Sequence, residues 1–235
     1  MDLNSCRFCN IILNYKISES ESIQIPICDT LLFETENFIV IPALGALVPG
    51  YLMIVARNHL HSMAYCSEDE LIELTGVIKY LNTLIEETLS ISPILFEHGS
   101  AIGCVNKSGC CVEHAHLHIV PVNLSEESKI VENTNAVKIP DLQALRIYCG
   151  KPYLLYINEN NQYYISSDTI LPSQFMRQWV AKEIGCPLEY DWRRFEFIDN
   201  ISTTVELFKG NNHDIVKNIF STINLNSAFK VKKEY

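Results

Sequence analysis

The stretch Glu113-His114-Ala115-His116-Leu117-His118-Ile119-Val120-Pro121 decides how this chain is read. Three histidines alternate with apolar residues. Side chains of a strand alternate between its two faces, so a strand over 114–122 puts His114, His116 and His118 on one face. Ala115, Leu117 and Ile119 then point the other way, into a core. Neighbouring histidines lie about 6.7 Å apart along such a strand and the outer pair about 13 Å. One zinc ion with bonds of roughly 2 Å cannot take all three, so they must divide their labour. Neutral imidazole is a good nucleophile near neutral pH, and its cation donates two hydrogen bonds to phosphoryl oxygens. A nucleophile with a phosphate clamp therefore fits better than a solvated strand face; a metal site on two neighbouring histidines is the remaining alternative.

Upstream, Gly99 to Cys111 reads as a loop and Pro93–Glu97 as a strand. Ser67-Glu68-Asp69-Glu70 is a capping box, and the apolar stripe Leu71, Ile72, Leu74, Ile78, Leu81, Leu84, Ile85 carries a helix to about Leu89. Phe38 to Ala56 is uncharged and nearly long enough to cross a membrane. Pro42, Gly45, Pro49 and Gly50 break it, and two strands, Asn37–Ile41 and Tyr51–Ala56, fit better. Thr30–Thr35 is a further strand candidate.

Downstream of Asn123 the texture changes. Ser125–Asn135 reads as a linker or short helix. Tyr153–Ile157 and Gln162–Ser166 flank an Asn-rich turn and form a hairpin; Pro172–Gly185 is an amphipathic helix. Val205–Ile223 is one or two helices broken at Gly210-Asn211-Asn212. The expected organisation is a core domain over 1–124 and an extension over 125–235.

The 235 residues are 48% hydrophobic and 20% charged, with a net charge of −10. A phosphate backbone or anionic membrane needs clustered Lys and Arg, so neither a nucleic-acid polymer nor a membrane is an expected partner. Met1-Asp2-Leu3-Asn4-Ser5 lacks a basic segment followed by an apolar run, so no secretory signal is expected, and nine cysteines are an odd number for a disulfide framework. A reducing, cytoplasmic setting is expected, where Cys6-x-x-Cys9 is a metal or redox motif. The thioredoxin-type redox reading wants a long helix after the pair, which Asn10–Asn14 does not offer.

The quoted segment resembles the signature of the histidine triad (HIT) superfamily, three histidines each followed by an apolar residue. Cys6-Arg7-Phe8-Cys9-Asn10-Ile11-Ile12 is similar to the opening of many members, and Pro49-Gly50-Tyr51-Leu52-Met53-Ile54-Val55-Ala56-Arg57-Asn58-His59 to their second strand and the turn after it. The resemblance covers residues 6–122. It implies an α+β, HIT-like fold: an antiparallel sheet with one long helix, here with a smaller α/β C-terminal extension. It also implies a hydrolase that cleaves at the α-phosphate of a nucleoside phosphoanhydride or phosphoramidate. His116 would be the nucleophile, forming a nucleotidyl-histidine intermediate, and a nucleoside monophosphate would leave. His118 would hold a phosphate oxygen, and backbone near His114 would fix the His116 tautomer.

By the same resemblance, Lys107, Ser108, Gly109, Cys110 and Cys111 would cradle the phosphate, with Glu97 and His98 near the substrate. Cys6, Cys9, His59 and His114 match the ligands of one structural zinc ion, with His61 an alternative to His59; two reduced thiols with His59 on backbone is the competing reading. The expected partner is a small nucleotide. Many simple members are homodimers whose partner completes the pocket, and the extension could replace that partner, with Arg177, Arg193 and Arg194 as its charge. Two departures stand out. Tyr51 occupies a position that is often His, and no carboxylate stands near Pro42-Ala43, where an aspartate commonly holds ribose. A nucleotidyltransferase or phosphorylase, or an inactive zinc-stabilised nucleotide-binding protein, are the alternatives on the same scaffold.

Overall fold

Among the described residues, short apolar runs between Pro/Gly turns and long-range partners build one antiparallel sheet of eight strands. The computed structural model describes residues 6–18, 24–101, 114–125, 127–167 and 171–209. The strands are β1 (Phe33–Glu34), β2 (Phe38–Pro42), β3 (Leu52–Ala56), β4 (Ile94–Gly99), β5 (His116–Val120), β6 (Val137–Ile139), β7 (Tyr153–Ile157) and β8 (Tyr163–Ser166). Their order is β1-β2-β3-β5-β4-β7-β8-β6. The helices are α1 (Arg7–Ser18), α2 (Glu68–Leu89), α3 (Glu127–Thr134), α4 (Phe175–Glu183) and α5 (Ile198–Phe208). The α+β class expected from the sequence is the class observed. Among the described residues no helix is long and apolar enough to cross a membrane; Phe38–Ala56 supplies β2 and β3 instead.

Strand β5 sits between β3 and β4, pairing Leu52↔Ile119 to Val55↔His116 on one side and Ile94↔Val120 to Phe96↔His118 on the other. Strand β4 is not an edge. It pairs with β7 from Leu95↔Ile157 to Gly99↔Tyr153, so the C-terminal hairpin continues the sheet of the N-terminal half. Gly99 permits this: a Cβ there would collide with the Tyr153 ring.

Alternation along the strands sorts two cores. Leu52, Ile54, Leu95, Leu117, Ile119, Leu155 and Ile157 pack under α2, which buries Leu71, Leu74, Ile78, Leu81 and Ile85 against them. Ser67 caps that helix: its side chain accepts from Glu70 N–H while Glu70 accepts from Ser67 N–H. The opposite face carries Met53, Val55, Phe96, Val120, Leu154 and Tyr156, covered by Phe8, Ile11 and Ile12 of α1, Ile130 of α3 and Met176, Val180 and Ala181 of α4.

The structure corrects several sequence expectations. Asn10–Asn14 lies inside the 12-residue α1. Its Phe8, Ile11 and Ile12 fall at helical spacing and are buried, and tertiary packing outweighs a poor intrinsic propensity. Helix α5 starts at Ile198, not Val205, because Ile201, Thr204, Val205 and Phe208 form one buried stripe. Residues 210–223 of the expected helical region lie outside the described residues. Strand β6, three residues long, was not expected; it adds to the outer side of β8.

Candidate active site

Three of the histidine side chains gather on the face opposite α2. His116 and His118 leave β5 on that side with ring centroids 5.0 Å apart, and His98 leaves β4 beside them. All are buried: 9% exposed for His116, 8% for His118 and 7% for His98. Burial favours the uncharged imidazole. It lowers His116, pushes His98 down to about 3 and takes His118 well below the ordinary histidine value, where neighbouring His116 and Arg177 act in the same direction. The face therefore presents neutral rings at neutral pH.

His116 Nδ1 lies 2.6 Å from the His114 carbonyl oxygen. A carbonyl only accepts, so the proton sits on Nδ1 and the lone pair on Nε2. Phe8 of α1 packs on the ring at 5.2 Å. His118 stacks on Phe96, with centroids 4.6 Å apart and planes 19° apart. Its Nδ1 is 3.0 Å from the hydroxyl of Tyr51, a fully buried side chain just ahead of β3. The Arg177 guanidinium of α4 stands 5.6 Å from the Tyr51 ring centre. Arg177 donates to Tyr190 O at 2.9 Å and Gly45 O at 2.7 Å, and among the described residues it forms no ion pair. Arg193 and Arg194, expected beside it, are exposed; Arg193 lies over Trp192 and near Asp191.

His98 is on the histidine face, but its Nε2 already accepts the Met176 N–H of α4 at 3.5 Å. Gln174, at the helix start, makes no side-chain cap, so His98 takes one of the otherwise unpaired first-turn donors. Glu97 is not brought to this face. One residue along β4, its side chain points to the α2 side, where it accepts from Met63 N–H at 2.8 Å and from the Tyr153 hydroxyl. Burial raises its carboxyl to about 7. This residue anchors the turn before α2 rather than facing His116, as strand alternation requires once His98 faces inward. Lys107, Ser108, Gly109, Cys110 and Cys111 lie outside the described residues.

At one end of the face a second cluster forms. One ligand atom from each of Cys6, Cys9, His59 and His114 lies within 4.8 Å of the others. Cys6 Sγ is 3.3 Å from His114 Nδ1, Cys9 Sγ 3.6 Å from the same atom and 3.2 Å from His59 Nδ1. A tetrahedral ion with bonds of about 2.0–2.3 Å puts its ligands roughly 3.5 Å apart, so the spacing fits. His114 Nε2 is 2.7 Å from Ala56 O, which fixes the proton there and aims the Nδ1 lone pair at the thiols. Burial pushes Cys9 up to about 12, with Cys6 adding to the shift, and lowers His114 to about 4. A divalent cation would invert the thiol shift. His61, the alternative ligand, is outside the set and packs on Tyr65. His116 is also outside it.

The sequence reading missed the link from Tyr51 to His118 and the place of Arg177. A tyrosine where histidine is common was the only signal for the first. The second depends on contacts between residues more than a hundred positions apart.

No family model matches the chain, and no curated protein matches it. Solved structures do. A hypothetical histidine triad nucleotide-binding protein from Sulfolobus tokodaii is 23% identical, over 50% of this chain and 68% of that one, with a TM-score of 0.39. A HIT family hydrolase from Clostridium thermocellum is 22% identical over 52% and 93%, with a TM-score of 0.37. A zinc-bound histidine triad family protein from Mycobacterium smegmatis is 18% identical over 61% and 92%, with a TM-score of 0.40. At these identities and scores, the functional case rests on the side chains described above.

Proposed function

We propose that the chain is a HIT-type hydrolase acting on a nucleoside phosphoanhydride or phosphoramidate through His116. The observation that carries this reading is the 2.6 Å contact between His116 Nδ1 and His114 O. It leaves Nε2 as a neutral, oriented nucleophile, and burial keeps that nitrogen unprotonated.

Nε2 attacks the α-phosphorus, a P–N bond forms and the bond from phosphorus to the leaving group breaks. The leaving group departs with the electron pair and takes up a proton. Nδ1–H stays on the His114 carbonyl, which spreads the positive charge the ring acquires. Water then attacks phosphorus from the opposite side, the P–N bond breaks and a nucleoside monophosphate leaves with His116 restored. His118 donates to a phosphoryl oxygen in both steps. Arg177 offsets charge that the neutral rings cannot.

The four-residue cluster fits zinc in spacing, donor type and tautomer. Cys6, Cys9, His59 and His114 would hold it as a closed structural ion, tying α1 to the turn after β3 and to the segment entering β5. Bound there, the ion would keep His114 still, and with it the carbonyl that orients His116. Metal analysis after dialysis is expected to give one equivalent of zinc, lost in Cys6→Ser together with a lower melting temperature. Zinc retained in Cys6→Ser would remove this assignment.

The function is tested by incubating the protein with dinucleoside polyphosphates and nucleoside phosphoramidates, with and without inorganic phosphate. Monophosphate release in water is expected. Diphosphate release that requires phosphate would instead make the chain a phosphorylase. Tight binding without turnover would make it a binding module.

A further inference from the structure

His118 has two nitrogens, and its usefulness to a phosphoryl group depends on which one carries the proton. Tyr51 meets Nδ1 at 3.0 Å. A Tyr51–His118 contact alone reads either way, since a phenol both donates and accepts. Burial and the Arg177 charge break the tie. The buried Tyr51 O–H has His118 Nδ1 as its only partner among the described residues, so accepting from an Nδ1–H would leave that O–H without an acceptor. The Arg177 guanidinium, with Cζ 5.6 Å from the Tyr51 ring centre, turns the hydroxyl proton away from its own charge and toward His118.

The surroundings enforce the arrangement. Tyr51 is fully buried and Arg177 is 3% exposed. Arg177 is pinned by two backbone carbonyls, Gly45 O and Tyr190 O, one from the loop before β3 and one from the C-terminal half. Gly45 is locked in turn, its N–H donating to Glu196 O at 3.1 Å, and Trp192 packs so close that a Cβ on Gly45 would lie 2.6 Å from Trp192 Cβ. His118 cannot swing to other partners while stacked on Phe96.

We infer that Tyr51 and Arg177 are a positioning pair for His118: Arg177 directs the Tyr51 O–H onto Nδ1, which places the His118 proton on Nε2 as a fixed donor. The C-terminal half of the chain thereby sets the hydrogen-bonding state of a histidine in the N-terminal half. This inference rests on the reading of His116 and His118 as a phosphoryl-handling pair for its consequence in turnover, but the tautomer itself does not depend on it.

The test uses the full chain labelled with nitrogen-15 at histidine and two-bond proton–nitrogen correlation spectra without ligand. Wild type is expected to show His118 as the Nε2–H tautomer alone. Tyr51→Phe keeps the ring and removes the hydroxyl, and is expected to give mixed tautomers. Arg177→Met is expected to admit the Nδ1–H form. With a nucleoside phosphoramidate, Tyr51→Phe is expected to lose about tenfold or more in kcat, with KM within about threefold. An Nδ1–H tautomer in wild type overturns the inference, and that spectrum decides even if a variant does not fold. Unchanged tautomers in both variants also overturn it. The expected tautomers without turnover on any substrate would support the positioning pair and remove the hydrolase reading.

Discussion

The two faces of the sheet are built by different means from the same strands. The α2 face is apolar side chains against one amphipathic helix, held by area and packing density. The histidine face is also buried, but it is held by directed contacts: Nδ1 of His116 on a carbonyl, Nδ1 of His118 on Tyr51, and Nε2 of His98 on the N-terminal turn of α4. One face tolerates loss of a hydrogen bond because it has few. The other loses orientation when a single donor moves. Stability and chemistry are thus divided between opposite sides of β5, and substitutions should separate them.

The largest effect is expected at the nucleophile. His116→Ala should lower turnover by about a thousandfold or more, with melting temperature little changed. Comparable turnover in that variant would dissolve the distinction between the faces. The converse substitution is Leu74→Ala on α2, where a fully buried side chain leaves a cavity. It should cost about 2–5 kcal/mol in denaturant unfolding while kcat stays within about twofold. A large fall in kcat for the folded variant would show that the faces are coupled.

The pH dependence of stability sharpens the comparison further, because the faces titrate with opposite sign. Histidines lowered by burial must charge on unfolding in acid, so their contribution is present above about pH 6.5 and fades as pH falls. Glu97, on the α2 side, is raised from 4.5 to about 7, so its contribution is full below 4.5 and is lost as pH rises toward 7. With several histidines against one carboxyl, stability should rise from pH 4.5 to 6.5. Glu97→Gln removes the opposing group and should steepen that rise by on the order of 3 kcal/mol across the window. A shallower or unchanged slope would mean that Glu97 does not titrate as a buried acid.

What could be read in advance follows the same division. Local signals were legible. The capping box at Ser67 and Glu70, the stripe through Leu71 to Ile85 and the hairpin around Asn158–Asn161 each fall where the structure has them. So did the alternation through β5, because a period of two is written directly in the residues. The histidine face was less legible because its cover comes from afar. Helix α1 has no strong propensity of its own, and its burial depends on partners the pattern does not name. The pairing of β7 with β4 and the contact of Met176 with His98 join residues separated by dozens of positions. Glu97 shows the cost of a one-residue offset: it neighbours His98 in sequence and faces the other core. Cys6, Cys9, His59 and His114 were named from a motif and stand together in space.

The claim on which the rest depends is that His116 takes the nucleotidyl group covalently. Rapid alkaline quench of the protein with a nucleoside phosphoramidate, followed by peptide mass analysis, tests it most directly. The expected result is one nucleoside-monophosphate adduct on the peptide containing His116, absent from His116→Ala. Steady turnover with no adduct in wild type, or the same adduct on another residue, would contradict it.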